Sequence, residues 1–187
     1  LAEMGARRTG EIAQLCDIVT PEYGILTGVC PQHTETFGSL EAVKAEKGVL
    51  VGRTRRCVLG RTVADLARGD DLVMGWDFDA EDVRLSLDGT RFTLRLPDGS
   101  FPVQVPVLGR HAAEDVALAA ALCSLLGMTA EEIKAGIAEI TPVAHRLERR
   151  NQGGVIILDD AYNANTAGAQ NAVEVLKLAG CMKVAVT

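Results

Sequence analysis

No stretch of this chain holds the ~18 consecutive apolar residues that a membrane-spanning helix requires. The N-terminus also lacks the basic, apolar, small-residue order of a secretory signal, so the expected location is the cytoplasm, with no membrane insertion. A surplus of basic charge is missing too: 19 Lys and Arg stand against 25 Asp and Glu, for a formal net charge of −6. That balance argues against a nucleic-acid partner held by phosphate neutralisation, but it leaves room for one nucleotide held by a few placed cations. Cysteine pairs at zinc-ligand spacing are absent as well; Cys16, Cys30, Cys57, Cys123 and Cys181 are scattered and odd in number, which implies reduced thiols, mostly in cores. No internal repeat and no low-complexity segment breaks the chain.

What is present is an alternation of apolar runs and helical periodicity over 187 residues, 48% hydrophobic and 24% charged. Such a pattern predicts an α/β protein with a mostly parallel sheet, and the length suits one domain plus part of another. Strands are expected at YGILTGV (23–29) and RCVL (56–59), with helices over 11–16, capped by Thr9 and ended before Pro21, and over 39–51. Between 83 and 107 the pattern changes to strict alternation around Asp88-Gly89 and Asp98-Gly99, predicting an antiparallel appendage in which Pro102 and Pro106 favour an edge. The Ala-, Leu- and Val-rich run from His111 to Leu126 reads as a helix buried on most faces, ended by Gly127; Thr129 caps the next helix, over 130–140.

The basic segment after Pro142 suggests a domain boundary, so that 1–142 and 143–187 belong to different domains. A buried strand over 155–158, a helix over 166–179 and a strand over 183–186 would begin the second. The opening LAEMG reads as the end of a strand and the closing KVAVT as a strand without its continuation, which suggests a piece of a longer protein.

Several residues sit where chemistry is done in open α/β sheets, beyond the carboxyl ends of strands. Glu3 can hold a metal directly or through water, or simply begin a loop. His33, in TGVCPQHTETFGS (27–39), is a metal or phosphate ligand or a loop histidine bonded to backbone. Lys47 is either a solvated helix lysine or part of a pattern. Gly109-Arg110-His111 opens the buried helix, where free N–H groups favour anions, and His111 or Asp115 could equally cap it. Arg146, in HRLERR (145–150), is a solvated base or a two-pronged phosphate clamp. The run DDAYNAN (159–165) places carboxylates, a phenol and amides at a strand end, and Asn165 can also serve only as a helix N-cap.

Taken together, EMGARRTGEIAQL (3–15), TGVCPQHTETFGS, GRH (109–111), HRLE (145–148) and DDAYNAN resemble, in order and across essentially the whole chain, the Mur ligases. The DDAYNAN form is most similar to their MurF-type, dipeptide-adding branch. The resemblance implies the later part of a Mur central ATPase domain followed by the start of a Rossmann-like C-terminal domain. It implies an ATP-dependent amide ligase of peptidoglycan synthesis joining D-alanyl-D-alanine to UDP-N-acetylmuramoyl-tripeptide through an acyl phosphate, the intact enzyme being a monomer that acts by domain closure.

On the same resemblance Glu3, His33 and Lys47 would hold Mg²⁺, with Lys47 carbamylated by CO₂ and, with His33, catalytic. Asp115, Arg146 and Asp160 would bind the nucleotide, and Tyr162, Asn163 and Asn165 the incoming dipeptide. The chain departs from the family at Ala112 and Asp115, where asparagines are usual, at Cys30 for glycine and at Thr166 for proline. The phosphate loop G-x-x-G-K-[ST] and the UDP-sugar domain are not in this sequence, so the chain alone is expected to be inactive. These departures keep two alternatives open: a catalytically retired paralogue that binds or scaffolds, and a ligase with another amine acceptor.

Overall fold

The computed structural model describes residues 1–30, 34–162 and 166–180. They divide into two compact units, Leu1–Asp79 with Leu118–Leu126, and Ala80–Ala117 with the described residues from Gly127 onward. His33, Asn163, Asn165, Cys181 and the expected strand over 183–186 lie outside the described residues.

The first unit is built on a parallel three-stranded sheet in the order β1 (Tyr23–Leu26), β2 (Arg56–Leu59), β3 (Leu72–Val73). Tyr23 pairs with Arg56, Leu26 with Leu59, and Val58 with Leu72. The central strand has neighbours on both edges, and its Cys57, Val58 and Leu59 are completely buried; hence the unbroken apolar run in the sequence. Asp71 is buried beside it and accepts hydrogen bonds from the N–H groups of Cys57 (2.6 Å) and Arg68 (2.9 Å), which ties the loop before β3 to β2.

Helices α1 (Glu11–Val19), α2 (Thr34–Phe37) and α3 (Leu40–Arg53) belong to this unit. Ser39 caps α3, its hydroxyl accepting from Ala42 N–H at 3.1 Å. The expected Thr9 cap of α1 is not made. The N-cap is Gly10, in a left-handed conformation with no side chain to offer, and the open N–H groups are met from α3 instead. The Glu46 carboxylate, 4% exposed, accepts from Gly10 N–H and Ile12 N–H, both at 2.8 Å. Residues 1–6 form no strand with any described neighbour, contrary to the reading of LAEMG as a strand end. A 3₁₀ helix over Arg61–Leu66 follows β2.

The second unit carries an antiparallel sheet in the order β4 (Asp79–Ser86), β5 (Gly89–Leu96), β6 (Gly99–Val105), the hairpins turning at 87–88 and 97–98. Phe92 lies opposite Val103 and Leu94 opposite Phe101, all buried on one face. Pro102 faces Thr93 on the edge strand, where its missing N–H costs little. Helix α4 (Arg110–Leu125) is shared: its residues through Ala117 count with the second unit and the rest with the first. Helix α5 (Ala130–Ala138) starts with a reciprocal cap between Thr129 and Glu132.

Beyond Pro142 the second half of the basic segment HRLERR (145–150) runs into a strand. β7 (Glu148–Gln152) pairs antiparallel with β8 (Val155–Asp159), Glu148 facing Asp159, through a turn at Gly153 and Gly154, whose φ angles of 59° and 80° suit glycine. β8 is less buried than its apolar sequence suggests: Val155 is 61% and Ile156 37% exposed, because only its inner end is covered. Leu147, Leu108 and Val175 of α6 (Thr166–Leu176) form the core there, with Leu85, Leu87, Leu158 and Ala172 against them.

Candidate functional site

The sequence-predicted residues fall into two groups. Glu3 and Lys47 belong to the first unit, Glu3 exposed in an irregular stretch and Lys47 half-buried on α3. Among the described residues neither side chain is in an ion pair, and His33 lies outside these residues. The second unit brings together Asp115, Arg146, Asp160 and Tyr162 around the turn at 143–148.

This turn is strained. His145 and Leu147 both adopt positive φ, 61° and 47°, a region that costs a branched or bulky residue about 1–3 kcal/mol. Leu147 compensates by burial, being 2% exposed, and covering a leucine contributes about 2 kcal/mol. Hydrogen bonds supply the rest. Leu147 N–H donates to Asp160 Oδ1 at 3.0 Å, His145 N–H to Glu148 Oε2 at 3.2 Å, and Tyr162 N–H to the His145 carbonyl at 3.2 Å. His145 Nδ1 lies 2.8 Å from Asp159 Oδ2, and because an ionised carboxylate only accepts, the ring nitrogen is the donor. Thus four residues of β7 and of the DDAY stretch hold the turn in a conformation its own sequence does not favour.

The charges are distributed unequally. Arg150 pairs with Asp159 and approaches Glu148 at 4.0 Å, and Arg149 pairs with Asp88 at 2.6 Å. Among the described residues Arg146 is in no ion pair; its guanidinium lies over the Tyr162 ring, 4.0 Å from the centroid. The ligand atoms of His145, Glu148 and Asp159 lie within 4.8 Å of one another, but a cation there would have to displace Arg150 from Asp159, so the cluster serves as a clamp on the turn. A cavity of about 200 Å³ opens beside the turn between Asp88, Pro106, Pro142, Arg146 and Arg149.

Helix α4 reaches the same region. Gly109 has φ 94°, and a Cβ there would stand 2.7 Å from the His111 ring, so glycine is needed both for the turn and for the approach of the imidazole. Thr90, wholly buried in β5, anchors this lead-in, with Oγ1 at 2.8 Å from the Val107 carbonyl. His111 Nδ1 is buried without a partner among the described residues. Asp115 has its carboxyl pushed up by burial, against the pull of the His111 and Arg146 charges. Asp115 nevertheless stands at an exposed position, where water screens both effects.

An unpaired guanidinium, an acid with one oxygen already bonded and a buried imidazole nitrogen in need of a partner suit a ligand with anionic groups at one end and a hydrogen-bonding ring at the other. The structure gathers the sequence-predicted Arg146, Asp160 and Asp115 in one region, whereas His145 and Asp159 as the clamp and Thr90 as the anchor were not anticipated. Thr90 had no signal; the HxxE spacing of His145 and Glu148 was a weak one.

Residues 1–123 match the family described as Mur ligase middle domain. The chain belongs to the Mur ligase family. Among curated members it is 34% identical, over 93% of its length and 42% of the relative's, to the UDP-N-acetylmuramoyl-tripeptide–D-alanyl-D-alanine ligase of Escherichia coli strain K12. The Haemophilus influenzae ligase of the same name is 30% identical, over 94% of this chain and 41% of the relative. The Mur-family chain thus spans less than half the length of these relatives.

Among solved structures, MurF from Acinetobacter baumannii shares the fold, with a TM-score of 0.87 at 24% identity over 94% of this chain and 42% of that one. MurF ligase from Thermotoga maritima in complex with ADP gives 0.83 at 25% identity, over 94% and 43%. The parallel sheet with antiparallel additions is therefore the α/β arrangement of this family. Among the described residues no helix is long and apolar enough to cross a membrane.

Proposed function

We propose that this chain supplies the nucleotide-gripping part of a MurF-type ligase, which joins D-alanyl-D-alanine to UDP-N-acetylmuramoyl-tripeptide at the expense of ATP in the cytoplasm. The observation that carries the reading is the strained HRLE turn, clamped by the DDAY stretch, which leaves Arg146 as an uncommitted cation. Support also comes from relatives of that name matched along almost the whole chain. On this reading 1–142 belong to the central ATPase domain and 143–187 begin the C-terminal ligase domain, and the complete enzyme acts as a monomer.

Arg146 donates to phosphate oxygens, and Asp160, whose Oδ1 is committed to Leu147 N–H, offers Oδ2 to a ribose hydroxyl. His111 Nδ1 and Asp115 border the base; Asp115 in place of asparagine keeps acceptors there but loses the amide donors. On the family resemblance alone, Tyr162, Asn163 and Asn165 would meet the incoming dipeptide.

Carboxylate and γ-phosphate repel each other, and Mg²⁺ would offset that repulsion. Glu3, His33 and Lys47 are the residues that would hold it, Lys47 by carbamylation of its neutral amine. Lys47 is half-buried on α3 and, among the described residues, is in no ion pair, so no carboxylate competes for its amine.

The test is ADP release by the complete ligase with the tripeptide donor, with and without D-alanyl-D-alanine. Release that depends on both substrates is expected. No release with both present would favour a retired paralogue, a reading that the buried Ala112 motivates, and release driven only by another amine would change the acceptor.

A further inference from the structure

Arg146 is exposed, and an exposed arginine normally explores many rotamers. Here its guanidinium is stacked on the Tyr162 ring at 4.0 Å. Tyr162 is itself 66% exposed, so the contact is not a by-product of core packing. It is tied to the turn through its own backbone, its N–H donating to the His145 carbonyl at 3.2 Å, one residue before Arg146. Among the described residues the phenolic hydroxyl has no hydrogen-bond partner. Stacking engages only the face of the guanidinium, while all five N–H donors lie in its plane and stay available to an oxyanion. The ring therefore restricts the cation without consuming its hydrogen-bonding capacity, as an ion pair would.

We propose that Tyr162 is a positioning residue that holds the Arg146 guanidinium flat and edge-on to the nucleotide phosphates. The proposal rests on the reading of Arg146 as a phosphate ligand and departs from the assignment of Tyr162 to the dipeptide. The aromatic face does the work, and the hydroxyl is dispensable.

The experiment is steady-state kinetics and calorimetric ADP binding on the complete ligase carrying Tyr162→Leu, Tyr162→Phe, Arg146→Ala and the Arg146→Ala/Tyr162→Leu pair. Loss of an exposed cation–π contact predicts that Tyr162→Leu raises the KM for ATP and weakens ADP binding about two- to fivefold. Its kcat at saturating ATP and its KM for D-alanyl-D-alanine should stay unchanged. Tyr162→Phe should restore both nucleotide values, and Tyr162→Leu should add nothing on top of Arg146→Ala. The proposal is overturned if Tyr162→Phe is as impaired as Tyr162→Leu, if the leucine variant raises the dipeptide KM instead, or if the two losses add independently. Should Arg146→Ala itself leave ATP and ADP affinity untouched, the phosphate-ligand reading fails, an outcome distinct from the other three.

Discussion

Asp159 is where the turn's charges converge: it takes a hydrogen bond from His145, one from Ala161 N–H at 3.2 Å, and the Arg150 guanidinium. The His145 hydrogen bond, with the Ala161 N–H and Arg150 adding to it against a smaller desolvation effect, holds the carboxyl below its ordinary value of 3.8. Its side chain is 9% exposed, yet the groups that cover it are exposed themselves, so water still screens the cluster. A carboxyl depressed in the folded state contributes stability that is present above its unfolded value and lost as pH falls through the folded one. Asp159→Asn should therefore lower the melting temperature at neutral pH, and the gap from the parent should close as pH drops below 3.8. A gap that stays constant across an acid series of thermal melts would show that charge at Asp159 is not what holds the turn.

Among the elements, α1 depends on a residue from another helix. Gly10 brings no side chain to its N-terminus, and Glu46 meets two of the open N–H groups from inside the first unit. Glu46→Ala removes two charge-assisted hydrogen bonds at a buried position, so it should cost about 2–3 kcal/mol, read as a lower urea midpoint with unchanged slope. Glu46→Gln, with one acceptor oxygen left, should cost about half as much. If the alanine variant unfolds at the parent midpoint, α1 has another anchor.

The sequence did contain a hint of Glu46: Val43, Glu46 and Leu50 follow the three-four spacing of an inward stripe, so the acid sits where an apolar residue is expected. Strong local patterns were legible in the same way. The alternation at 83–107, the unbroken apolar run of β2 and the Thr129 cap all translate directly into the observed elements, because each is decided by neighbours close in sequence. β7 was not legible: ERRNQ offers no apolar face, and only the Gly-Gly pair before β8 signals its hairpin. Likewise the strained φ angles at His145 and Leu147 depend, beyond the local Glu148 contact, on Asp159 and Asp160, 14 and 13 positions downstream of their partners, which no local reading supplies.

At the scale of the whole molecule, the two groups of candidate residues fall in separate units, Glu3 and Lys47 in one and the Arg146 turn in the other. On the proposed reading, a ligase that brings a carboxylate up to a γ-phosphate would use both, a metal side and a nucleotide grip. Lys47→Ala in the complete enzyme should remove most activity, and added bicarbonate should not restore it, since no amine remains to be carbamylated; full activity of that variant in an ADP-release assay would remove Lys47 from the metal side. The grip itself is tested most directly by a crystal structure of the complete enzyme with ADP. The Arg146 guanidinium is expected within about 3 Å of a phosphate oxygen while still stacked on Tyr162. Phosphates bound elsewhere, with Arg146 turned to solvent, would contradict the account.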